Sequence, residues 1–189
     1  FSNTMVVNGR TWPYLEVEPR RYRFRFLNGC DSRFLLLKFS DPRITFWQIG
    51  SDGGFLPAPV RLNELLLALA ERADVIVDFT GLQPWTTLQL QNIGPDEPFG
   101  GGIPGVDFLP ADPDTTGQVM EFRVVSPGPM SLPDTSVHPS RLVLPAFVPV
   151  GAATNTRQVS LNEEESATVL FSADAAGNLI ADCGGLPFG

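Results

Sequence analysis

Residues 21–26 alternate strictly between arginine and aromatic side chains, in the order R-Y-R-F-R-F. Successive side chains of a β-strand point to opposite faces of the sheet, so the three rings would lie on one face and the three guanidinium groups on the other. A helix would scatter both sets around its axis. The pattern therefore predicts a strand with one buried face and one polar face.

Further short apolar runs are separated by turn signals, such as N-G at 8–9 and 28–29 and D-G-G at 52–54. No run has an amphipathic pattern of helical length. Many short strands joined by Gly- and Pro-containing turns are typical of an antiparallel β-sandwich of the Greek-key type. The predicted strands cover residues 4–8, 21–28, 33–39, 44–49, 64–69, 72–79, 86–92 and 118–125.

Proline content divides the rest of the chain. Residues 126–149 contain six prolines, and because proline lacks an amide donor and has a fixed φ, this stretch predicts an extended linker. Beyond it, residues 156–161 and 165–172 predict two strands that cannot form a core alone. We therefore expect a domain at 1–126, a linker at 127–155 and the first strands of a following, truncated domain at 156–189.

Charge excludes one class of partner. The net charge is −8, whereas binding of nucleic-acid phosphates requires a dense basic patch. Twelve of the 13 basic residues are arginine, whose planar fork suits bidentate pairing with carboxylates. We expect these arginines to form the polar faces of strands and to pair with nearby carboxylates such as Glu16, Glu18 and Asp31. No apolar run is long enough to cross a bilayer, so no membrane partner is expected.

Four longer motifs stand out along the chain. They are N-T-M-V-V-N-G-R-T-W-P-Y-L-E-V-E (3–18), W-Q-I-G-S-D-G-G-F-L-P (47–57), L-L-L-A-L-A-E-R-A-D-V-I-V-D-F (65–79) and T-T-G-Q-V-M-E-F-R-V (115–124). In this order they resemble the middle cupredoxin-like domain of three-domain bacterial multicopper oxidases, the group of laccases, spore-coat proteins and bilirubin oxidases. Residues 157–188 resemble the start of the third domain. The resemblance implies an all-β, cupredoxin-like Greek-key β-sandwich.

The resemblance implies a parent enzyme that oxidises phenolic, pigment or metal-ion substrates and reduces dioxygen to water at copper centres. In the family, histidine and cysteine ligands of the first and third domains hold the coppers, and imidazole and thiolate are ligands that copper selects. This chain has a single histidine, His138, so it cannot assemble such a centre alone. We expect no catalytic, cofactor-binding or metal-binding residue, no cofactor and no oxidase activity in this chain by itself.

The role implied by the resemblance is that of a copper-free structural domain, which orients the copper domains and forms part of the wall of the substrate cleft. Its partners would be the first and third domains of the parent. An alternative is a stand-alone β-sandwich module that binds a partner or has a structural role, because a fold alone does not fix a function. The unpaired strands within 156–172 also predict a homodimer or strand exchange. The family resemblance implies an extracellular or periplasmic location.

Other sets of polar residues have simpler explanations than catalysis. Ser136, His138 and Ser140 contain the groups needed for acyl transfer, but no G-x-S-x-G elbow or placed acid accompanies them. His138 is expected to be exposed or packed against the linker rather than to bind a metal. The loop F-G-G-G-I-P-G at 99–105 lacks the G-K-S/T of a phosphate-binding loop. The run Glu163–Glu165 predicts a solvated strand edge.

Asp107, Asp112 and Asp114 lie in the long loop at 95–117 and carry oxygen ligands of the kind that calcium prefers. Their spacing is not that of an EF-hand, so a turn cluster is expected rather than a calcium site. Asp52 is expected to accept hydrogen bonds from local backbone amides.

The two cysteines, Cys30 and Cys183, could form one disulfide or remain two thiols, and the sequence leaves both possibilities open. Of the tryptophans, Trp47 is expected in the core because Phe46 and Ile49 flank it. Trp12 lies beside Pro13 in a turn and is the better candidate for an interdomain contact.

Overall fold

The computed structural model describes residues 1–159 and, beyond them, the backbone of residues 171–173 and 179–182. The chain forms two compact units, Phe1–Phe147 and Val148–Gly189. The described residues contain no α-helix, only a turn of 3-10 helix at Pro139–Arg141. The strands are β1 (Val6–Val7), β2 (Arg10–Thr11), β3 (Tyr14–Val17), β4 (Arg21–Leu27), β5 (Leu35–Phe39), β6 (Phe46–Ser51), β7 (Gly54–Leu62), β8 (Leu65–Leu67), β9 (Arg72–Asp78), β10 (Thr87–Asn92), β11 (Gln118–Val124), β12 (Phe171–Ala173) and β13 (Leu179–Asp182).

Two larger sheets build the first unit. One has the strand order β3-β11-β10-β5-β8 and the other the order β4-β9-β6-β7, while β1 and β2 form a small separate sheet. The pairing is antiparallel except between β3 and β11, which run in parallel. The chain passes repeatedly from one large sheet to the other, as a Greek-key sandwich requires. The predicted all-β sandwich is confirmed.

The alternating strand β4 has the two faces that its sequence predicts. Tyr22, Phe24 and Phe26 pack against the core, while Arg23 and Arg25 are exposed on the opposite face. Its partner β9 repeats the pattern, with Val75 and Val77 fully buried and aspartates on the outer face. This pairing places arginines and aspartates together on the outside of the four-stranded sheet.

Aromatic rings join the two sheets across the core. Phe24 of β4 meets Phe122 of β11 edge-on, with ring centroids 5.6 Å apart. Phe39 of β5 lies 4.9 Å from Phe46 of β6, and Phe79 lies 5.4 Å from Phe122. Such aromatic pairs contribute beyond the burial of their apolar area, so this cluster fixes the two layers against each other.

The sequence pattern missed two longer strands. Strand β3 lacks alternation, because only Val17 of its four residues is buried. Strand β7 contains Pro57 and Pro59, which have no amide donor for strand pairing, but it lies at the edge of its sheet. An edge strand has one unpaired row of backbone groups, so the missing proline donors cost little there.

In the second unit, β12 pairs with β13 in antiparallel register, with Phe171 opposite Asp182. The predicted strand at 156–161 is not present at 156–159, and residues 160–170 lie outside the described part, together with Glu163–Glu165 and Cys183. The prediction of a homodimer or strand exchange assumed that these strands have no partner in their own chain. Because β12 pairs with β13, that prediction gains no support. The domain boundaries at 126/127 and 155/156 stay predictions.

A buried amide closes the end of the sandwich where β4 stops. Asn28 is fully buried, and its Nδ2 donates to the carbonyl oxygens of Arg33 (2.8 Å) and Leu67 (3.1 Å). Its Oδ1 accepts from the backbone amide of Cys30 at 3.0 Å. One side chain therefore satisfies three backbone groups that lie away from strand pairing.

We expect Asn28→Leu to lower the free energy of unfolding by about 2 kcal/mol or more, because an apolar side chain leaves these buried backbone groups unpaired. Urea denaturation followed by circular dichroism measures the change. Leu27→Ala, at an adjacent exposed position, is the control and should change stability by less than about 1 kcal/mol. Equal losses in the two variants would contradict the role assigned to the amide.

Candidate functional site

Residues 127–141, here called the strap, pass over the outer face of the four-stranded sheet. The strap belongs to the first compact unit and contains no strand. Proline-rich backbone offers few donors for pairing with a sheet, so side chains must attach it. Three such attachments connect the strap to the region around β3, β4 and β6.

The first attachment is a charged cluster just before β4. Arg20 Nη2 donates to the carbonyl oxygen of Leu132 at 2.7 Å and also to the hydroxyl of Ser131. The Ser131 hydroxyl donates to Glu18 Oε2 at 2.7 Å, and Glu18 pairs with Arg20 at 2.6 Å. The hydrogen bond from Ser131 lowers the pKa of the Glu18 carboxyl, because it favours the charged form.

The second attachment is centred on Arg21, the first residue of β4. Its Nε lies 2.7 Å from Asp78 Oδ2, and its Nη1 donates to both the carbonyl and the hydroxyl oxygen of Ser136 at 3.2 Å. The same Nη1 lies 3.9 Å from Asp134 of the strap. One guanidinium group therefore joins β9 to the strap through the geometry that favours arginine over lysine.

The carboxylates of this second attachment are both stabilised in the ionised form. Burial raises the pKa of Asp78, but hydrogen bonds from Thr80 and Arg21 outweigh it and lower the pKa below its usual value. Hydrogen bonds from the side chain and the backbone of Ser136 lower the pKa of Asp134. Both aspartates therefore remain negatively charged at neutral pH and attract the positive charge of Arg21.

The third attachment is the contact between His138 and Trp47. Their rings meet edge to face with centroids 5.4 Å apart, and the neighbouring Pro139 is buried. His138 is half-buried and packs on the sheet through Trp47, so its contact is with the domain rather than with the linker.

The prediction that Trp47 lies in the core is wrong. Strand alternation puts the fully buried Phe46 inward and the adjacent Trp47 outward, onto the outer face. Ile49 is nevertheless buried, because a bulge between Gln48 and Gly50 shifts the register of β6 against both neighbours. In the sequence Phe46 and Ile49 look like parts of one buried run, so the change in side-chain direction at the bulge is not evident there.

The arginine pairs also differ in part from the prediction. Glu18 pairs with Arg20 as expected, but Glu16 and Asp31 have no ion pair among residues 1–159. Arg21 and Arg23 pair with Asp78 and Asp74 of β9 instead. Sequence distance misled here, because cross-strand register brings together residues more than 50 positions apart.

Other predicted residues make local structural contacts. Trp12 is 41% exposed, and its Nε1 donates to the carbonyl oxygen of Thr115 at 3.1 Å. Asp52 accepts a backbone hydrogen bond as expected, but from Arg72, which is distant in sequence, at 2.8 Å. Asp107 Oδ2 accepts from the amide of Ile103 at 2.7 Å, and Asp112 Oδ1 from that of Asp114 at 2.9 Å. These aspartates therefore stabilise turns.

The serines around His138 do not form a nucleophilic site. Ser136 is bound to Arg21, and the backbone amide of Ser140 donates to His138 Nδ1 at 3.3 Å, while its hydroxyl lies 2.7 Å from the same nitrogen. This arrangement caps the 3-10 turn that follows. Ser140 is bound to the ring through a local turn and is not accompanied by a placed acid that would orient the imidazole.

A cavity of about 600 Å³ lies between the N-terminal residues and the end of the sandwich, where Cys30 forms part of its wall. Burial raises the pKa of the Cys30 thiol, which disfavours the reactive thiolate. Arg33, 5% exposed, pairs with Asp96 and lies 5.3 Å from the ring of Phe1. The cavity is mainly apolar and its one buried charge is already paired.

The residues of this chain do not fit a copper centre. Copper selects several imidazole and thiolate ligands, whereas the sequence contains one histidine and two cysteines. Cys30 and His138 line different cavities and do not meet. In the part of the chain that the structure describes, no three His, Cys, Asp or Glu side chains come together as a metal site.

Comparisons with known proteins agree on one family, although no family model matches the chain. A laccase of Bacillus subtilis is 44% identical over 124 residues, which are 66% of this chain and 22% of that protein. A bilirubin oxidase of Albifimbria verrucaria is 40% identical over 75% of this chain and 24% of its own length. The crystal structure of the multicopper oxidase McoA from Aquifex aeolicus matches with a TM-score of 0.55 and 34% identity, over 67% of this chain and 25% of that chain.

The fold is thus a cupredoxin-like β-sandwich, as its structural neighbours among multicopper oxidases show. The chain belongs to the multicopper oxidase family. It spans about a quarter of the length of the relatives it matches. Among the described residues, no helix has the length and apolar character needed to cross a membrane.

We expect Arg21→Gln to raise the hydrogen-exchange rate of strap amides at residues 131–138 by about tenfold, since charge-assisted hydrogen bonds contribute about 1.5 kcal/mol or more. Hydrogen exchange followed by mass spectrometry measures the effect. Arg25→Gln, an exposed change on the same face of β4, should leave the strap unchanged. Equal effects of the two substitutions would show that Arg21 does not attach the strap.

The lowered pKa values also predict acid sensitivity. A carboxylate with a depressed folded-state pKa adds stability that is complete above its unfolded value, at about pH 4, and is lost as the pH falls through the folded value. We expect the free energy of unfolding to fall between about pH 5 and about pH 3. Urea titrations of Asp134→Asn should show a smaller fall, because one of these carboxylates is absent. An identical fall in both proteins would exclude Asp134.

Proposed function

We propose that this chain is the copper-free structural domain of a longer multicopper oxidase, in which it orients the copper-bearing domains and forms part of the wall of the substrate cleft. The observation that carries this proposal is the single histidine in a chain otherwise similar to laccases and bilirubin oxidases. The parent would oxidise phenolic, pigment or metal-ion substrates and pass the electrons to dioxygen, which becomes water.

The docked strap supports an orienting role. It continues from β11, crosses the outer face of the sheet and is held there by Arg20, Arg21 and Trp47. A connection fixed by three attachments gives the chain that leaves it a defined direction, whereas a free proline-rich linker would not. We infer that the strap fixes the direction in which the chain leaves this domain.

The coding sequence on either side of this segment tests the proposal directly. We expect H-x-H motifs before the segment that encodes Phe1 and an H-C-H motif after the segment that encodes Gly189, because the coppers need ligands that this chain lacks. A start codon and a stop codon adjacent to this segment would instead favour the stand-alone module.

Copper analysis of the purified chain provides a second test. We expect substoichiometric copper after incubation with copper and dialysis, no blue absorption band and no dioxygen consumption with a phenolic substrate. His138→Gln is the matched control and should leave the small copper content unchanged if that copper is bound nonspecifically. Stoichiometric copper that disappears in His138→Gln, or dioxygen turnover by the chain alone, would contradict the proposal.

A further inference from the structure

A small cavity of about 320 Å³ lies between the strap and the outer face of the four-stranded sheet. It is distinct from the core and from the apolar cavity at the N-terminal end of the sandwich. Its volume is at the lower end of the range for small-molecule sites. The walls that matter for binding are Arg43, Trp47, Arg61, Asp78 and His138.

Two of the charged residues in the cavity wall already have a partner of opposite charge. Asp78 pairs with Arg21 and also accepts hydrogen bonds from the amide and the hydroxyl of Thr80, at 3.0 and 2.6 Å. Arg43 is paired with Asp41, with its Nη2 2.6 Å from Oδ2 and its Nε 3.0 Å from Oδ1. Neither group therefore carries an unmatched charge into the cavity.

Arg61 is different, because no carboxylate pairs with it among residues 1–159. Its Nε donates to the hydroxyl of Thr45 at 3.2 Å, and Thr45 is only 7% exposed. This bond holds the base of the guanidinium group and leaves its two Nη groups as donors. Arg61 thus supplies an oriented positive charge whose planar fork matches a carboxylate.

The two neighbouring rings complete the site. Trp47 lies directly opposite Arg61 in the register of β6 and β7, so its indole and the guanidinium group share one face. His138 adds its ring to the wall, and its Nδ1 lies 3.3 Å from the amide nitrogen of Ser140. The cavity wall therefore combines an apolar aromatic surface with donors from Arg61.

We propose that this cavity binds a small aromatic carboxylate, with its carboxylate on the Arg61 guanidinium group and its ring against Trp47. An anion matches the one unpaired charge in the wall, and an aromatic ring matches the indole surface. This inference goes beyond the structural role proposed above and does not depend on it, because all of its residues lie in the first compact unit.

Benzoate is the probe, and the intact chain is the protein tested. We expect saturable binding at one site, detected by calorimetry and by a chemical-shift change of the Trp47 indole amide, whose signal is assigned with Trp47→Phe. Benzamide has the same ring without the charge and should bind at least about tenfold more weakly. Acetate has the charge without the ring and should also bind more weakly than benzoate.

Arg61→Gln should weaken benzoate binding by at least about tenfold, which corresponds to about 1.4 kcal/mol. Arg25→Gln removes an exposed arginine outside the cavity and should leave the affinity unchanged. Arg61→Lys keeps the charge without the fork and should give an intermediate affinity. Circular dichroism of each variant establishes that it is folded.

Absence of benzoate binding up to about 10 mM would overturn the proposal. Equal binding of benzoate and benzamide to the unmodified chain would do the same, and this comparison remains decisive even if Arg61→Gln does not fold. A folded Arg61→Gln protein with unchanged affinity would show that benzoate binds elsewhere.

Discussion

The structure depends on the two-faced pairing of β4 with β9. One face supplies the rings of Tyr22, Phe24 and Phe26 to the core, and the other carries arginines opposite aspartates. A shift of one residue would reverse every side chain, exposing the rings and burying the guanidinium groups, so the register is strongly fixed. Both the sandwich and the surface on which the strap lies follow from this register.

The strap shows how a segment that cannot join a sheet is nevertheless fixed. Its backbone carbonyls at Leu132 and Ser136 accept hydrogen bonds from Arg20 and Arg21, which take the place of strand amides. The cost of ordering such a segment must be offset by these contacts and by the packing of His138 on Trp47. Polar groups on this side of the sheet therefore bind a segment of the same chain, in addition to contacting solvent.

Much of the fold could be predicted from the sequence. Apolar and polar residues alternate along β4, β9 and β10, and each strand begins and ends close to the expected bounds. Strand β7 could not be predicted, since only its edge position makes its prolines acceptable, and edge position is a property of the whole sheet. The burial of Ile49 two positions beyond the outward-facing Trp47 depends on a bulge, and the partners of Arg21 depend on cross-strand register. The cavity at Arg61 requires β6, β7 and the strap to be placed together, so no local pattern indicates it.

The scarcity of imidazole and the unmatched charge of Arg61 lead to separate conclusions. The first is a count over the whole sequence, and it limits what metal chemistry any fold of this chain can support. The second is a local balance, in which Asp78 and Asp41 are each occupied by another arginine and leave Arg61 without a counter-charge among the described residues. The contacts that hold the strap also enclose a cavity with a positive donor. The proposed orientation of neighbouring domains and the proposed recognition of a small anion would therefore use one face of the same sheet.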